Sequence, residues 1–413
     1  MGSRRIVRSL LVLAVSLTLG TAVATAGPAA AQPHPAPGSV LGLPTPDPDP
    51  FYAPPPDLAE RKPGDVLNVR QMPPNLYFPG SAVWEVLFRT TDSRGLPIAA
   101  NTTYLLPPNH EPDGPLTSYQ HIINSLGHKC KIATELYTTD PFTQIREAPG
   151  LNIALARGWA VALPDHLGPR MAYGAAKLGG QITLDGIRAV KNIPEFEVTN
   201  SKVALGGYSG GGMATAWAAA LAPTYAPELD IVGVAHGGTP MNLTTMAEVL
   251  GGNPHPAFGL AMAAAIGLDR EYPDRIDLGD QLNGKGRWLR SMISNGCTNE
   301  IMFWGVGRSA SNLTSNPDFM DNPEAWEVLR ENSLEFYPGI PEAPTFEWHS
   351  PTDVLIPVHA IERTNARYCA NGAYVTSMLT PSPDHLSAAA LGLFPALDWI
   401  DARFRGVPLP DHC

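Results

Sequence analysis

No stretch constrains the fold of this chain more than Ser201 to Ala220. A short apolar run, Val203-Ala204-Leu205, leads into Gly206-Gly207-Tyr208-Ser209-Gly210-Gly211-Gly212 and out into the alanine-rich Met213 to Ala220. That order reads as a strand, a sharp turn and a helix. Inside it, Gly207-Tyr208-Ser209-Gly210-Gly211 fits the G-x-S-x-G pattern, which forces its serine into strained backbone geometry where strand meets helix. Glycines two residues before and two after the serine leave room for the strand and helix to approach each other. A glycine-rich turn with an idle hydroxyl would carry the same letters. Ser209 is therefore a candidate nucleophile only if partners for it exist elsewhere.

On either side of this turn, short apolar runs alternate with helical patterns. Ala82 to Arg89 and Ile98 to Leu106, joined across Asp92-Ser93-Arg94-Gly95, predict a hairpin. Leu116 to Ile123, Trp159 to Leu163 and Ile231 to Ala235 predict buried strands. Asn152 to Arg157 predicts a short helix. Ala175 to Lys191 predicts a longer one, whose start Gly179-Gly180 is expected to delay. The alternation implies an α/β protein, a mostly parallel sheet with helices on both faces, with the hairpin as an antiparallel edge. It stops at Met241 and resumes with a strand at Pro344 to His349. Residues 242–337 hold helical pieces, Pro256 to Leu268 and Ala325 to Arg330, with few strand signals. They are expected to form a helical cap over the carboxyl edge of the sheet, where ligands of such sheets bind. Residues 61–241 and 338–413 are then the core.

The N-terminus bears on the compartment. Arg4, Arg5 and Arg8 precede an apolar run from Leu10 to Val23, and Ala24-Thr25-Ala26 and Ala29-Ala30-Ala31 are small-residue cleavage sites. Residues 1–31 are expected to be a signal peptide, cut after Ala26 or Ala31, so the protein is expected to be secreted. Residues 32–60, with Pro46-Asp47-Pro48-Asp49-Pro50, are expected to form an extended proline-rich leader rather than a packed element. The four cysteines, Cys130, Cys297, Cys369 and Cys413, suit two disulfides in an exported protein and allow three pairings. None has metal-ligand spacing, so no metal is expected. A net charge of −11 argues against nucleic acid and anionic membranes as partners, and no later stretch is long and apolar enough for stable membrane insertion. The oligomeric state is not legible in the sequence.

A serine nucleophile needs a base to take its proton and an acid to orient that base, and on such a sheet they follow in the order Ser, Asp or Glu, His. The predicted strand Phe346 to His349 runs into Ser350-Pro351-Thr352-Asp353, which makes Asp353 the candidate acid. Three histidines come later. His359 is too close to Asp353, and His412 abuts the terminal cysteine. His385, in the loop Ser382-Pro383-Asp384-His385-Leu386 that opens the last helix, is the candidate base. His236, expected at the sheet edge, is the main distractor. The oxyanion formed during acyl transfer needs backbone N–H donors. Gly210 should supply one and the loop around Asn124 another.

At this point the chain resembles the secretory lipase family of fungi and actinobacteria. The matching pieces are Asp49-Pro50-Phe51-Tyr52, Pro63-Gly64-Asp65-Val66-Leu67, Ser118-Tyr119-Gln120, Pro164-Asp165-His166-Leu167-Gly168, Leu184-Asp185-Gly186-Ile187-Arg188, Gly207 to Gly211 and Asp353-Val354-Leu355-Ile356-Pro357. The resemblance implies an α/β-hydrolase fold with a helical lid and hydrolysis of triacylglycerols and simpler esters without a cofactor. It puts Ser209, Asp353 and His385 on the triad positions and Gly210 on an oxyanion position. Asn124 stands where the family often has an aspartate. The resemblance also implies the pairs Cys130–Cys297, tying the oxyanion loop to the lid region, and Cys369–Cys413. The expected activity is that of a serine carboxylic-ester hydrolase, a triacylglycerol lipase first of all, acting on a lipid or small ester. An acyltransferase, a peptidase or a non-catalytic binding protein on the same scaffold are the rival readings.

Overall fold

The computed structural model describes residues 42–138, 141–316, 322–409 and 413. The expected signal peptide with both cleavage sites, the leader residues 32–41 and His412 lie outside the described residues. Among the described residues, nine strands form one sheet: β1 (Val66–Gln71), β2 (Ala82–Thr91), β3 (Pro97–Leu106), β4 (Leu116–Gln120), β5 (Ala160–Pro164), β6 (Val203–Tyr208), β7 (Ile231–Gly237), β8 (Thr345–His349) and β9 (Val375–Leu379). Their order is β1-β2-β3-β5-β4-β6-β7-β8-β9. The first three strands pair antiparallel, and β3 meets β5 antiparallel. From β5 through β9 every pairing is parallel.

Parallel neighbours need crossover connections, and helices supply them. These are α1 (Ile132–Glu135) and α2 (Pro141–Ala156) before β5, α3 (Ala176–Lys191) before β6 and α4 (Gly210–Tyr225) before β7. Between β7 and β8 come α5 (Leu243–Gly251), α6 (Phe258–Glu271), α7 (Leu278–Gln281), α8 (Gly284–Ile293), α9 (Thr298–Gly305) and α10 (Pro323–Glu331). α11 (Val358–Ala370) joins β8 to β9, and α12 (His385–Phe404) closes the chain. Successive strand side chains point to opposite faces, so one strand feeds two cores. Val203 and Leu205 of β6 and Val234 of β7 pack with α3 and α4, whereas Ala204 and Ala235 pack with α2 and α12. The inserted helices have a core of their own, built on Leu260, Ile266, Leu289, Ile293, Ile301 and Leu313.

Several expectations change in the structure. α3 begins at Ala176, so Gly179-Gly180 does not delay it. The glycines serve packing instead: a Cβ on Gly180 would lie 2.9 Å from the Ala218 nitrogen of α4. α2 runs from Pro141, well ahead of the expected start at Asn152. β9, with its mixed Val375-Thr376-Ser377-Met378-Leu379, lies at the sheet edge, where Ser377 and Leu379 are exposed and only Val375 is fully buried, so its alternation is too weak to read. The largest correction concerns the leader. From residue 42 to 60 it packs on the core: Phe51 is buried, Asp47 pairs with Lys131 at 2.7 Å, and Asp49 pairs with Arg70 at 2.6 Å. The Lys131 ammonium also sits 3.0 Å from the Tyr52 ring centroid. Proline fixes the backbone without a ladder, so a proline-rich segment can be both extended and anchored by the side chains between its prolines.

Candidate active site

β6 enters the turn at Tyr208, and α4 leaves it at Gly210. Ser209 sits between them at φ 55° and ψ −121°, a left-handed conformation that costs a side-chain-bearing residue on the order of 1–3 kcal/mol. The surroundings hold it there. Ser209 N–H donates to the Gly237 carbonyl at 2.8 Å, and its own carbonyl accepts from Met213 N–H at 2.9 Å. The flanking glycines are dictated by space. A Cβ on Gly207 would lie 2.4 Å from Thr215 Oγ1, and one on Gly211 only 1.9 Å from the Gln120 carbonyl. Thr215, which the sequence did not single out, and Gln120, quoted there only within the family resemblance, brace the turn: Thr215 Oγ1 donates to Gln120 Oε1 at 2.7 Å, and Gln120 Nε2 donates to Ser118 Oγ at 2.7 Å.

Asp353 follows β8 on the turn Ser350 to Asp353. Its Oδ1 accepts from the Leu355 and Ile356 N–H groups, both at 2.9 Å, and its Oδ2 lies 2.7 Å from His385 Nδ1. Burial alone would raise this carboxyl. The hydrogen bond and charge of His385, with the two backbone N–H groups, outweigh it and hold the group below the usual carboxylate range. An ionised Asp353 can only accept, so Nδ1 of His385 carries the proton, and Nε2 faces Ser209 Oγ at 2.9 Å as an acceptor. His385 is not a loop residue as expected. It is the first residue of α12, capped by Asp384, whose side chain accepts from Leu386 and Ser387 N–H. Tyr208, the variable residue of the turn, contacts it in two ways. Its hydroxyl donates to the His385 carbonyl at 2.6 Å, and the two rings lie 5.0 Å apart. Neither contact is visible in the motif.

Asn124 lies after β4 in the loop facing Gly210. A Cβ on Gly210 would meet Asn124 Oδ1 at 2.7 Å, and that oxygen is buried without a hydrogen-bond partner. The loop is fastened to the inserted helices: Thr298 Oγ1 donates to the Asn124 carbonyl at 3.1 Å, and Leu126 N–H donates to the Gly296 carbonyl at 3.0 Å. Beside these lies the disulfide Cys130–Cys297, with its Cα atoms 5.5 Å apart; Cys369–Cys413 is the second, at 5.9 Å. The distractor His236 is buried at the end of β7, bonded to Thr239 Oγ1 at 3.0 Å, and burial pushes its imidazole down to about 4. His359 is exposed on α11. Next to Gly210 and Met213 opens an apolar cavity of about 170 Å³. Its walls include Met246 and Leu250 of α5, Phe258, Leu260 and Met262 of α6, and Leu329 of α10. Among the described residues, no group of three or more His, Cys, Asp or Glu side chains is placed to hold a metal ion, and no helix is long and apolar enough to cross a membrane.

The chain matches known proteins along most of its length. The model of the secretory lipase family matches residues 140–412. A probable inactive lipase of Mycobacterium tuberculosis is 33% identical over 88% of this chain and 83% of its own. A secreted triacylglycerol lipase of Malassezia globosa is 29% identical over 88% of this chain and 80% of its own. The X-ray structure of Candida antarctica lipase A in its closed state superposes with a TM-score of 0.84 at 30% identity, covering 90% of this chain and 89% of that one. A strained serine on a strand-to-helix turn, a helical insertion before β8 and these likenesses lead to one conclusion: the chain belongs to the secretory lipase family, with its α/β-hydrolase fold.

Proposed function

We propose that this secreted carboxylic-ester hydrolase cleaves esters of long-chain fatty acids, triacylglycerols among them, through an acyl-enzyme on Ser209. The observation that carries the reading is the hydrogen-bonded line from Asp353 through His385 to Ser209, at 2.7 and 2.9 Å. In it, His385 Nε2 takes the Ser209 proton as Oγ bonds to the ester carbonyl carbon, and Asp353 holds the ring in the required tautomer. The carbonyl electrons move onto oxygen, facing the Gly210 N–H and the Asn124 loop. As the tetrahedral intermediate collapses, the ester C–O bond breaks and the departing alcohol takes the proton from His385. Water, deprotonated by the same nitrogen, then attacks the acyl carbon; as the second tetrahedral intermediate collapses, the bond to Ser209 Oγ breaks, Oγ takes the proton back from His385, and the acid is freed. The apolar cavity beside Gly210 suits an acyl chain, since each buried methylene is worth about 0.8 kcal/mol.

One relative bears the description of a probable inactive lipase, so the direct test is the serine itself. The wild-type protein should be labelled by a fluorophosphonate probe and hydrolyse p-nitrophenyl esters. Ser209→Ala should lose the label and about a millionfold of rate while keeping its circular dichroism spectrum. Comparable activity in the variant would remove Ser209 from the mechanism.

A further inference from the structure

We propose that the outer face of α8 and α9 is a docking surface for lipid aggregates with anionic headgroups. The proposal rests on the ester-hydrolase reading for its purpose, while its evidence lies on another part of the molecule. Phe303 is 69% exposed, Val306 58% and Trp288 43%. The rings are contiguous. Phe303 meets Trp304 edge-on at 5.0 Å, Trp304 meets Trp288 edge-on at 5.5 Å, and the Arg308 guanidinium lies 5.3 Å from the Trp288 ring centroid. Trp304 packs partly against the core of the insertion, whereas Phe303 and Trp288 turn away from it. The two helices already bury Leu289, Ile293 and Ile301 in the core of the insertion. A contiguous aromatic patch left in water marks an interaction site.

Charge selects the occupant. The chain as a whole carries −11, yet Arg308 lies on the Trp288 ring, and the exposed Lys285 and Arg287 precede Trp288 on α8, the latter with its guanidinium on the Leu282 carbonyl. Among the described residues, none of the three is paired with a carboxylate. The one acid within residues 284–308, Glu300, is held by Lys129 at 2.8 Å. Aromatic rings flanked by lysine and arginine are the composition that settles at headgroup depth, with the rings at the acyl boundary and the cations on phosphate. The local cations thus reverse, over this face, what the net charge implies for the whole chain. The site stands close behind. α9 starts at the residue after Cys297, and its Thr298 holds the Asn124 carbonyl. At its other end, Gly305 packs against Gly259 of α6, so closely that a Cβ on Gly305 would lie 2.2 Å from the Gly259 Cα. α6 lines the cavity, so docking on α9 brings an aggregate up to a helix directly packed on the acyl wall.

Co-sedimentation with vesicles tests this, using the Ser209→Ala protein so that nothing is hydrolysed. Vesicles of phosphatidylcholine alone are compared with vesicles containing one part phosphatidylglycerol to two of phosphatidylcholine. Stronger binding to the mixed vesicles is expected. A loss of about tenfold in the partition coefficient is expected in Phe303→Ser and in Trp288→Ser. In the Ser209 background the same substitutions should leave kcat/KM on a soluble acetyl ester within about twofold, which also verifies folding. Unchanged partitioning in both variants would overturn the proposal, as would equal binding to the two vesicle types. A wild-type dimer that becomes monomeric in Phe303→Ser would also overturn it, assigning the patch to a second copy. Absence of soluble-ester hydrolysis would instead count against the proposed function and leave the vesicle result to be read separately.

Discussion

Tyr208 occupies the variable position of the serine turn, and its side chain reaches across to the helix that carries the base. The hydroxyl holds the His385 carbonyl, the ring lies beside the imidazole, and Trp348 packs behind at 5.6 Å. Tyr208 is thus a positioning residue for His385. Tyr208→Phe keeps the ring and loses the tether. We expect kcat on a soluble ester to fall by about three- to tenfold with KM changed less than about twofold, since a misaligned base weakens the transition state and not substrate binding. Steady-state kinetics with a thermal midpoint check the split. An equal change in kcat and KM, or none, would return Tyr208 to a purely structural role. Asn124 belongs to the same scale. Its unpaired Oδ1 beside Gly210 is the kind of buried polar atom that needs a reason, and a site where charge develops supplies one.

At the scale of elements, one pair of helices and one single helix set the geometry. α3 and α4 approach closely because Gly180 has no Cβ. Gly180→Ala gains helix propensity of about 1 kcal/mol but puts a methyl against the Ala218 backbone. Overpacking against backbone has no cheap relaxation, so a net loss of about 1–3 kcal/mol is expected, read as a lower denaturation midpoint. α6 decides the cavity instead. Phe258 and Met262 line it, and both side chains are also buried in the insertion's own core. Replacing either with tryptophan shortens the space. Long-chain esters should then lose kcat/KM at about 0.8 kcal/mol per methylene no longer buried, while acetyl esters hardly change. A panel of p-nitrophenyl esters of graded acyl length measures this, and equal losses on all lengths would mean that these residues only stabilise the insertion.

At the scale of the whole described chain, the sheet is stapled to its insertion, to the leader from residue 42 and to Cys413. The disulfides close segments of 167 and 44 residues, each worth on the order of 4–5 kcal/mol in a chain-entropy account. The leader adds the Asp47–Lys131 and Asp49–Arg70 pairs and the buried Phe51. Buried histidines make this assembly acid-sensitive. Burial pushes His166 and His236 down to about 4 and holds His121 well below the usual imidazole range. A histidine with a depressed folded value binds fewer protons folded than unfolded, so its contribution is whole above the unfolded value and is lost as pH falls towards the folded one. The depressed Asp353, Asp47 and Asp49 act in the same direction at lower pH. Asp165 opposes them, because burial raises it to about 6. Raised Asp185, Asp269 and Glu271 also oppose. Two histidines carried down to about 4 face one acid carried up to about 6, so the thermal midpoint should climb between about 4 and 6.5, while His349, held up by Glu347, turns the trend downward above that range. Calorimetry across that range measures it; a midpoint that falls as pH rises from 4 to 6.5 would mean that the buried acids prevail.

What the sequence determined by itself was whatever is written in short-range pattern. The serine turn was legible because Gly207 answers to local clashes with Thr215 and the Gly211 carbonyl, although the Gln120 carbonyl that dictates Gly211 comes from the neighbouring strand. The parallel strands and the interruption after Met241 were legible because a strand buried on both faces must be apolar throughout. Asp353 and His385 were found by chain order, which narrows a choice without bringing atoms together. Only the tertiary structure decided that His385, 176 residues from Ser209, meets it at 2.9 Å from the first turn of a capped helix and not from a loop. It also decided that Tyr208 tethers that helix, that Thr298 clamps the Asn124 loop, and that the proline-rich leader packs on the core. Each of these is a contact between segments far apart in sequence. Its energy depends on where the sheet places them, and no window along the chain contains both partners.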